Sequence, residues 1–316
     1  MMSEKIIAPI DLSLIEQELT PSRLLRRTNK ADNEIYVVDA HSAPNIMREI
    51  GRLREISFRA SGGGTGKACD IDEFDTMPNP CKQLFVWNPR EHIIIGAYRY
   101  ITGNNIALDH NGKPHIATAH MFNFSQQFIQ HYLPHTIELG RSFVRPEYQS
   151  TKVGINAIFA LDNLWDGLGA LTVIHPNMKY LFGKMTMYPT YPPECRDLLL
   201  HFLHLYFPDP QSLVTPITPL HSQFNKHKFH HFFIGNNFKD DYVKLNAFVR
   251  EHGINIPPLV NAYMNLSPTM RIFGTAINHE FGSVEETGIF FNIDEITDQK
   301  KNRHINTYKK NINPMT

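Results

Sequence analysis

The chain reads as an α/β or α+β protein, a mixed central sheet flanked by helices, with a helical insertion before the last two strands. Three observations carry that reading. β-rich runs such as IYVVD (35–39), KQLFVW (82–87) and TIELGRSFV (136–144) alternate with stretches of helical apolar spacing. Glycine and proline clusters punctuate them. No internal repeat or low-complexity block interrupts the pattern.

Taken in order, residues 1–34 form a polar leader with room for one short helix, and IYVVD opens the sheet. Ile46, Ile50, Leu53 and Ile56 recur at helical spacing, which predicts a helix over 43–60 that ends at Gly62-Gly63-Gly64. A polar loop runs to about Cys81. KQLFVW and HIIIGAYRYI (92–101) predict two strands joined by a turn at Asn88-Pro89. HIATAHMF (115–122) predicts a short strand, and FSQQFIQHY (124–132) a helix that stops before Pro134. TIELGRSFV is a strand, VGINAIFALDNLWDGLG (153–169) a helix, KYLFGKMTMY (179–188) a strand and 192–207 an apolar helix. Residues 208–238 are irregular and rich in Pro, His and Phe, and KDDYVKLNAFVREHG (239–253) is a helix stopped by Gly253. MRIFGTAI (270–277) and ETGIFFNI (286–293) close the sheet. The tail from Thr297 is polar and basic and is expected to fray. The domain plan is therefore a leader (1–34), a core (35–207), a helical insertion (208–268), closing strands (269–296) and a tail (297–316).

Composition narrows the function classes. The 316 residues are 42% hydrophobic and 20% charged, as in an ordinary globular protein. Lys+Arg and Asp+Glu balance at 31 each, which argues against a broad nucleic-acid surface. Three cysteines, Cys69, Cys81 and Cys195, are too few and too scattered for a disulfide framework or a zinc site and read as free thiols. No basic start precedes an apolar run, and no window approaches the roughly 20 apolar residues of a membrane span. The expected location is the cytoplasm, with peripheral attachment to the inner membrane face as an option.

Two local patterns invite over-reading. SGGGTGKA (61–68) departs from the phosphate-loop pattern: Ser61 replaces the first glycine, Ala68 the Ser/Thr, and the stretch follows a helix. It reads instead as a mobile glycine loop over an active site. HKFHH (227–231) has no acidic or cysteine neighbour at ligand spacing, so it reads as surface or packing, and no metal is expected.

The informative feature is charge where strands should be apolar. Arg99 interrupts HIIIGAYRYI, and Glu138 and Arg141 interrupt TIELGRSFV. A charge in a buried strand is costly unless it is paired or functional. Asp70, Asp72 and Asp75 cluster between the first helix and the next strand, in a loop without the length or glycine pattern of an EF-hand. Residues three apart on a regular strand face opposite sides, so Glu138 and Arg141 share a site only if the strand bulges. Gly140 predicts an irregularity at Leu139 and Gly140.

The ordered fragments LREISF (53–58), DEFD (72–75), LFVW (84–87), IIGAYRY (94–100) and ELGRSFVRPEY (138–148) resemble the acyl-carrier-protein-dependent branch of the GNAT superfamily. That branch holds ornithine-lipid N-acyltransferases, long-chain N-acyl amino acid synthases and, more distantly, acyl-homoserine-lactone synthases. KYLFGKMTMYPTYPPECRDLLLHFL (179–203) is most similar to the glycine-lipid-forming subgroup. Members of the broad family often carry an inherited "hemolysin" label, but this sequence shows neither an amphipathic barrel repeat nor a long apolar helix.

The resemblance implies a polar site at Arg54, Phe58, Asp72, Asp75, Arg99, Glu138 and Arg141. It implies transfer of a long-chain, optionally 3-hydroxylated, acyl group from acyl carrier protein to the amine of glycine or ornithine, without a resident cofactor. A second O-acyltransferase would then act on the product. Acetyl-CoA-dependent GNAT enzymes carry Arg/Gln-x-x-Gly-x-Gly/Ala before the pyrophosphate-binding helix. Here RPEYQSTKVGIN (145–156) has only Gly154, which favours a carrier-protein thioester over acyl-CoA. Gly140, Arg145, Lys152 and Gly154 are the candidates for holding phosphopantetheine.

In the implied mechanism Glu138 takes the amine proton, directly or through a water. Arg99 or Arg141 binds the substrate carboxylate, and Asp72 and Asp75 hold the ammonium or pair with Arg54 and Arg99. Backbone N–H groups at the bulge hold the oxyanion. Ser142 joins the substrate contacts, and Tyr188 or Tyr191 protonates the thiolate. Segments 192–207 and 208–268 line an acyl tunnel or are ordinary core. Three rival readings are an acetyl-CoA acetyltransferase, a non-catalytic GNAT-like module that binds a lipid or partner, and a homoserine-lactone synthase using S-adenosylmethionine.

Overall fold

The computed structural model describes residues 3–149, 155–220 and 232–312. Its strands are β1 (Leu24–Arg27), β2 (Glu34–Val38), β3 (Lys82–Asn88), β4 (Ile93–Thr102), β5 (Phe122–Phe124), β6 (Thr136–Val144), β7 (Tyr180–Met187), β8 (Val214–Pro216), β9 (Arg271–Asn278) and β10 (Val284–Asn292). Eight of them form one sheet in the order β1-β2-β3-β4-β6-β7-β10-β9, and β5 pairs with β8. Every neighbouring pair in the large sheet is antiparallel except β6 and β7, which are parallel. A parallel pair needs a crossover, and helix α4, introduced below, supplies it.

The helices are α1 (Leu12–Glu18), α2 (Pro44–Ala60), α3 (Glu73–Thr76), α4 (Ile155–Ile174), α5 (Pro193–Tyr206), α6 (Phe238–Glu251), α7 (Pro258–Met264) and a C-terminal α8 (Asn306–Ile312). Strand alternation sorts the core into two faces. Phe85, Trp87, Ala97 and Phe143 point toward α2 and meet Ile46, Met47, Ile50 and Leu53. Leu84, Val86, Tyr98 and Leu181 point the other way, to Leu164 and Leu168 of α4 and Leu199 of α5. The stretch expected as an insertion joins this second core: Leu245, Val249, Val260 and Tyr263 pack in it.

The expected strands and main helices form within a few residues of their predicted bounds, with three differences. The leader contributes an edge strand, β1, paired with β2, besides its helix. The stretch 115–122 is mostly a 3-10 turn (Ala117–His120), and the strand falls at β5. The C-terminal tail, as far as Ile312, is wound and docked rather than frayed. His304 is 3% exposed, and Ile305 and Tyr308 are buried.

The reason for the docking is a polar clamp. The Asp166 carboxylate accepts from Asn29 N at 2.8 Å and Asn29 Nδ2 at 2.6 Å, and His304 Nδ1 lies 2.7 Å from it. Arg26 Nη1 donates to the His304 carbonyl at 3.2 Å. Polar residues that look solvent-bound in the sequence are thus satisfied internally. Asp166→Ala removes the acceptor of two part-buried Asn29 donors and the partner of the buried His304 ring, and is expected to cost about 3 kcal/mol. Urea unfolding should show a lower midpoint with little change in slope, and limited proteolysis should clip the tail first. Unchanged stability would show that the clamp is idle.

Candidate active site

The β6–β7 pairing runs for only three positions: Thr136 with Tyr180, Ile137 with Leu181 and Glu138 with Phe182. Beyond them the two strands part. A cavity of about 660 Å³ occupies the gap, lined by 139–144 on one side and 181–188, save Met185, on the other. That volume lies within the range of small-molecule sites. One end is apolar, walled by Leu161, Trp165 and Leu168 of α4 with Tyr263, Leu266 and Phe291. The other end, on the α2 face, carries Arg141, Lys184 and Glu286 between the rings of Phe58, Tyr188 and Phe281.

The expected bulge exists, shifted by one or two residues. Arg99 pairs with Gly140 and Ala97 with Phe143, so Tyr98 alone faces both Arg141 and Ser142. Arg141 takes the extra position with φ 48°, a left-handed conformation that non-glycine residues seldom adopt. The extra residue swings Arg141 to the side of the sheet that Arg99 and Glu138 occupy. There its guanidinium sits 4.8 Å from the centre of the Phe281 ring. Gly140 itself borders open space, with nothing within 4 Å of where a Cβ would stand.

Behind this wall lies an ionic network of three arginines and three aspartates. Arg54 Nη1 is 3.0 Å from Asp75 Oδ2, and both side chains are wholly buried. Arg99 Nη1 is 2.6 Å from Asp72 Oδ1 and 3.3 Å from Asp75 Oδ2. Arg141 Nη2 is 3.3 Å from Asp72 Oδ2, and Arg141 Nε is 3.1 Å from Asp70 Oδ2. Gln83 ties the centre, accepting from Arg54 at 2.5 Å and donating to Asp75 Oδ1 at 2.9 Å. Asp72 also caps α3 by accepting from Phe74 N at 3.0 Å. Burial pushes the Asp75 carboxyl up, but Arg54 and Arg99 outweigh it and hold it below the ordinary range. Burial dominates at Asp70 and raises it.

The structure divides the expected residues. Phe58, Gly140, Arg141, Ser142 and Tyr188 line the cavity. Arg54, Asp72, Asp75 and Arg99 do not; they brace Arg141 from behind. Glu138, expected to act directly or through a water, is 5% exposed, accepts from Thr118 Oγ1 at 3.0 Å and does not line the cavity. Burial raises its carboxyl. Arg145 pairs with Glu147 at 3.4 Å and does not line the cavity. Lys152, Gly154 and the HKFHH run lie outside the described residues. Tyr191 lines the cavity too.

Two functional candidates escaped the sequence reading, Lys184 and Glu286. Their side chains form a buried ion pair at the polar end. The signal was present, since Lys184 interrupts KYLFGKMTMY just as Arg99 interrupts its strand. Of the glycine loop expected over the site, Ser61 lines the cavity, and the loop is tied down: Glu55 accepts from Thr65 N at 3.1 Å and Gly66 N at 2.8 Å. A Cβ on Gly63 would stand 3.0 Å from the Tyr188 ring. Segment 192–207 is core, while Pro257, Pro258, Leu259, Tyr263 and Leu266 of 208–268 line the cavity. Among the described residues no His, Cys, Asp and Glu group could hold a metal ion, and no helix is long and apolar enough to cross a membrane.

Residues 53–156 match the Acetyltransferase (GNAT) domain family. The chain is 59% identical to the glycine N(alpha)-acyltransferase of Phocaeicola vulgatus over 97% of its length and 94% of that protein. It is 58% identical to the protein of the same name from Bacteroides thetaiotaomicron, over 96% of this chain and 90% of that one. An L-ornithine N(alpha)-acyltransferase of Agrobacterium fabrum is 26% identical over 67% of this chain and 65% of its own. The protein is an acyltransferase of the GNAT class, and it belongs to the family of those glycine N(alpha)-acyltransferases.

The bracing network makes a pH-dependent prediction. Asp75→Asn is expected to lower stability by about 3 kcal/mol at neutral pH. Asp75 has a depressed folded value, so its contribution is full above the unfolded carboxylate value and is lost as pH falls below about 4. Urea titrations should therefore show the gap between wild type and variant closing in acid. A gap that stays constant to pH 2 would contradict the pairing.

Proposed function

We propose that the protein transfers a long-chain fatty acyl group, 3-hydroxylated chains included, from the phosphopantetheine thioester of acyl carrier protein to the amine of glycine. The product is the first intermediate of an amino-acid lipid, to be completed by a second, O-acylating enzyme. The observation that carries this reading is the cavity through the sheet, apolar at one end and charged at the other. An acyl chain fits the α4 side, an amino acid the α2 side, and the two meet where β6 and β7 part.

Glycine as acceptor is supported by the names of the relatives with 58 and 59% identity. It is also supported by the crowding of the charged end, where the Phe58 and Phe281 ring centres lie 4.9 Å apart. Ornithine would need room there for a further cationic arm. The carrier-protein donor rests on the sequence departure at 145–156, which lacks the glycine pattern that cradles CoA. In the proposed reaction Arg141 binds the acceptor carboxylate, with bulge N–H groups of Arg141 and Ser142 at the oxyanion. Tyr188 donates to the departing thiolate. Arg99, Asp72 and Asp75 act on Arg141 rather than on substrate. The cytoplasm supplies the carrier, and the acylated product suits delivery at the membrane surface.

Purified protein incubated with long-chain acyl carrier protein and single amino acids is expected to form N-acylglycine, with other acceptors and long-chain acyl-CoA slower by tenfold or more. Equal rates with acyl-CoA would remove the carrier assignment. Leu168→Trp fills the apolar end, so it should favour shorter donors. Losing room for a few methylenes at about 1–3 kcal/mol each should lower long-chain kcat/KM by at least tenfold. An unchanged chain-length profile would place the acyl chain elsewhere.

A further inference from the structure

The polar end of the cavity carries a charged set that the residues singled out in the sequence do not explain. Among the described lining residues there are two cations, Arg141 and Lys184, and one carboxylate, Glu286. Glu286 is 2% exposed. It is held on three sides: Lys184 Nζ donates to Oε2, Asn278 Nδ2 donates to Oε2 at 3.1 Å, and Thr186 Oγ1 donates to Oε1 at 3.3 Å. β7 and β10 set the placement, because Glu286 pairs in register with Thr186, two positions from Lys184. Lys184 and Thr186 therefore share a face and flank the carboxylate.

From this geometry we propose that Glu286 takes the proton from the acceptor amine, while Lys184 holds that carboxylate in place and, with Arg141, neutralises the acceptor's own carboxylate. The assignment rests on the amino-acid acyltransfer reading above. A zwitterionic amino acid brings one ammonium and one carboxylate, and the lining offers one carboxylate and two cations to meet them. The other acidic groups near this end lie outside the lining and face other partners: Asp70, Asp72 and Asp75 face arginines, and Glu138 accepts from Thr118. A purely structural ion pair would have no need to face a cavity.

The step balances as follows. The ammonium gives one proton to Glu286 and becomes a free amine. Its lone pair attacks the thioester carbon, forming C–N, and the carbonyl π pair moves to oxygen. Collapse breaks C–S, Tyr188 gives its proton to the departing thiolate, which leaves as a thiol, and the nitrogen's second proton restores Tyr188. Glu286 then returns its proton to solvent. No oxidant or further reactant is needed. The charged and titratable groups facing the pair are Arg141 and Glu138 from β6 and Tyr188 from β7. Burial lowers the Lys184 ammonium, and Arg141 adds to that, while Glu286 and Glu138 oppose it.

The test is steady-state transfer by purified full-length protein from long-chain acyl carrier protein, comparing glycine with aminoacetonitrile, an amine that is largely unprotonated at neutral pH. Glu286→Gln is expected to lower kcat with glycine about a hundredfold or more, the scale of a lost general base. The deficit should shrink at least tenfold with aminoacetonitrile, and with glycine as pH is raised. Glu286→Asp keeps the charge set back by one methylene and should retain an intermediate rate, which also covers a poorly folded glutamine variant. Equal losses with both amines, a Glu286→Gln rate near wild type, or the amine-dependent loss appearing in Glu138→Gln instead would each overturn the assignment. Wild-type protein that acylates no amino acid would overturn the functional reading beneath it.

Discussion

The three-residue parallel pairing between β6 and β7 is the constraint on which the rest of the molecule depends. A continuous ladder there would close the sheet. Instead pairing stops at Glu138 and Phe182, and the strands separate into a gap that side chains must line. A parallel pair requires a crossover, so α4 lies over the gap and supplies its apolar wall. The bulge in β6 sits at the lip of the gap and turns Arg141 into it. Hole, greasy wall and cation thus share one cause, the place where two strands let go of each other.

An arginine in a left-handed backbone conformation at the rim of a cavity needs support, and the buried ionic network provides it. Three guanidiniums face three carboxylates drawn from α2, the acidic loop, β4 and β6. Each charge taken from water finds an opposite one, which is the condition for tolerating such a cluster. Most of these groups do not meet the cavity. Their chemistry is mechanical: they fix the acidic loop to the sheet and hold Arg141 at the polar end.

Much of this was legible in the sequence because a charge in an apolar strand is conspicuous. Arg99, Glu138 and Arg141 were visible that way, and the spacing of Glu138 and Arg141 required the bulge that the structure shows one to two residues later. What was not legible depends on non-local pairing. Glu286 opened the run ETGIFFNI and looked like a strand end; it lies inside a longer strand, and only the β7–β10 register brings it to Lys184. Glu138 was visible as a charge, but whether it faced the cavity or the layer behind was fixed by Thr118, from a stretch read as a strand. The docked tail was missed for a related reason. Its polar residues signal solvent until Asp166 and Asn29, far away in the chain, are seen to satisfy them.

The central claim is that a single passage through the parted strands joins the acyl and amine sites. A crystal structure with bound N-acylglycine tests it most directly. The amide should sit between β6 and β7, with the acyl chain against Leu161, Trp165 and Leu168 and the carboxylate at Arg141. A product molecule bound with its chain on the outer surface of the sheet, leaving the gap empty, would contradict the account.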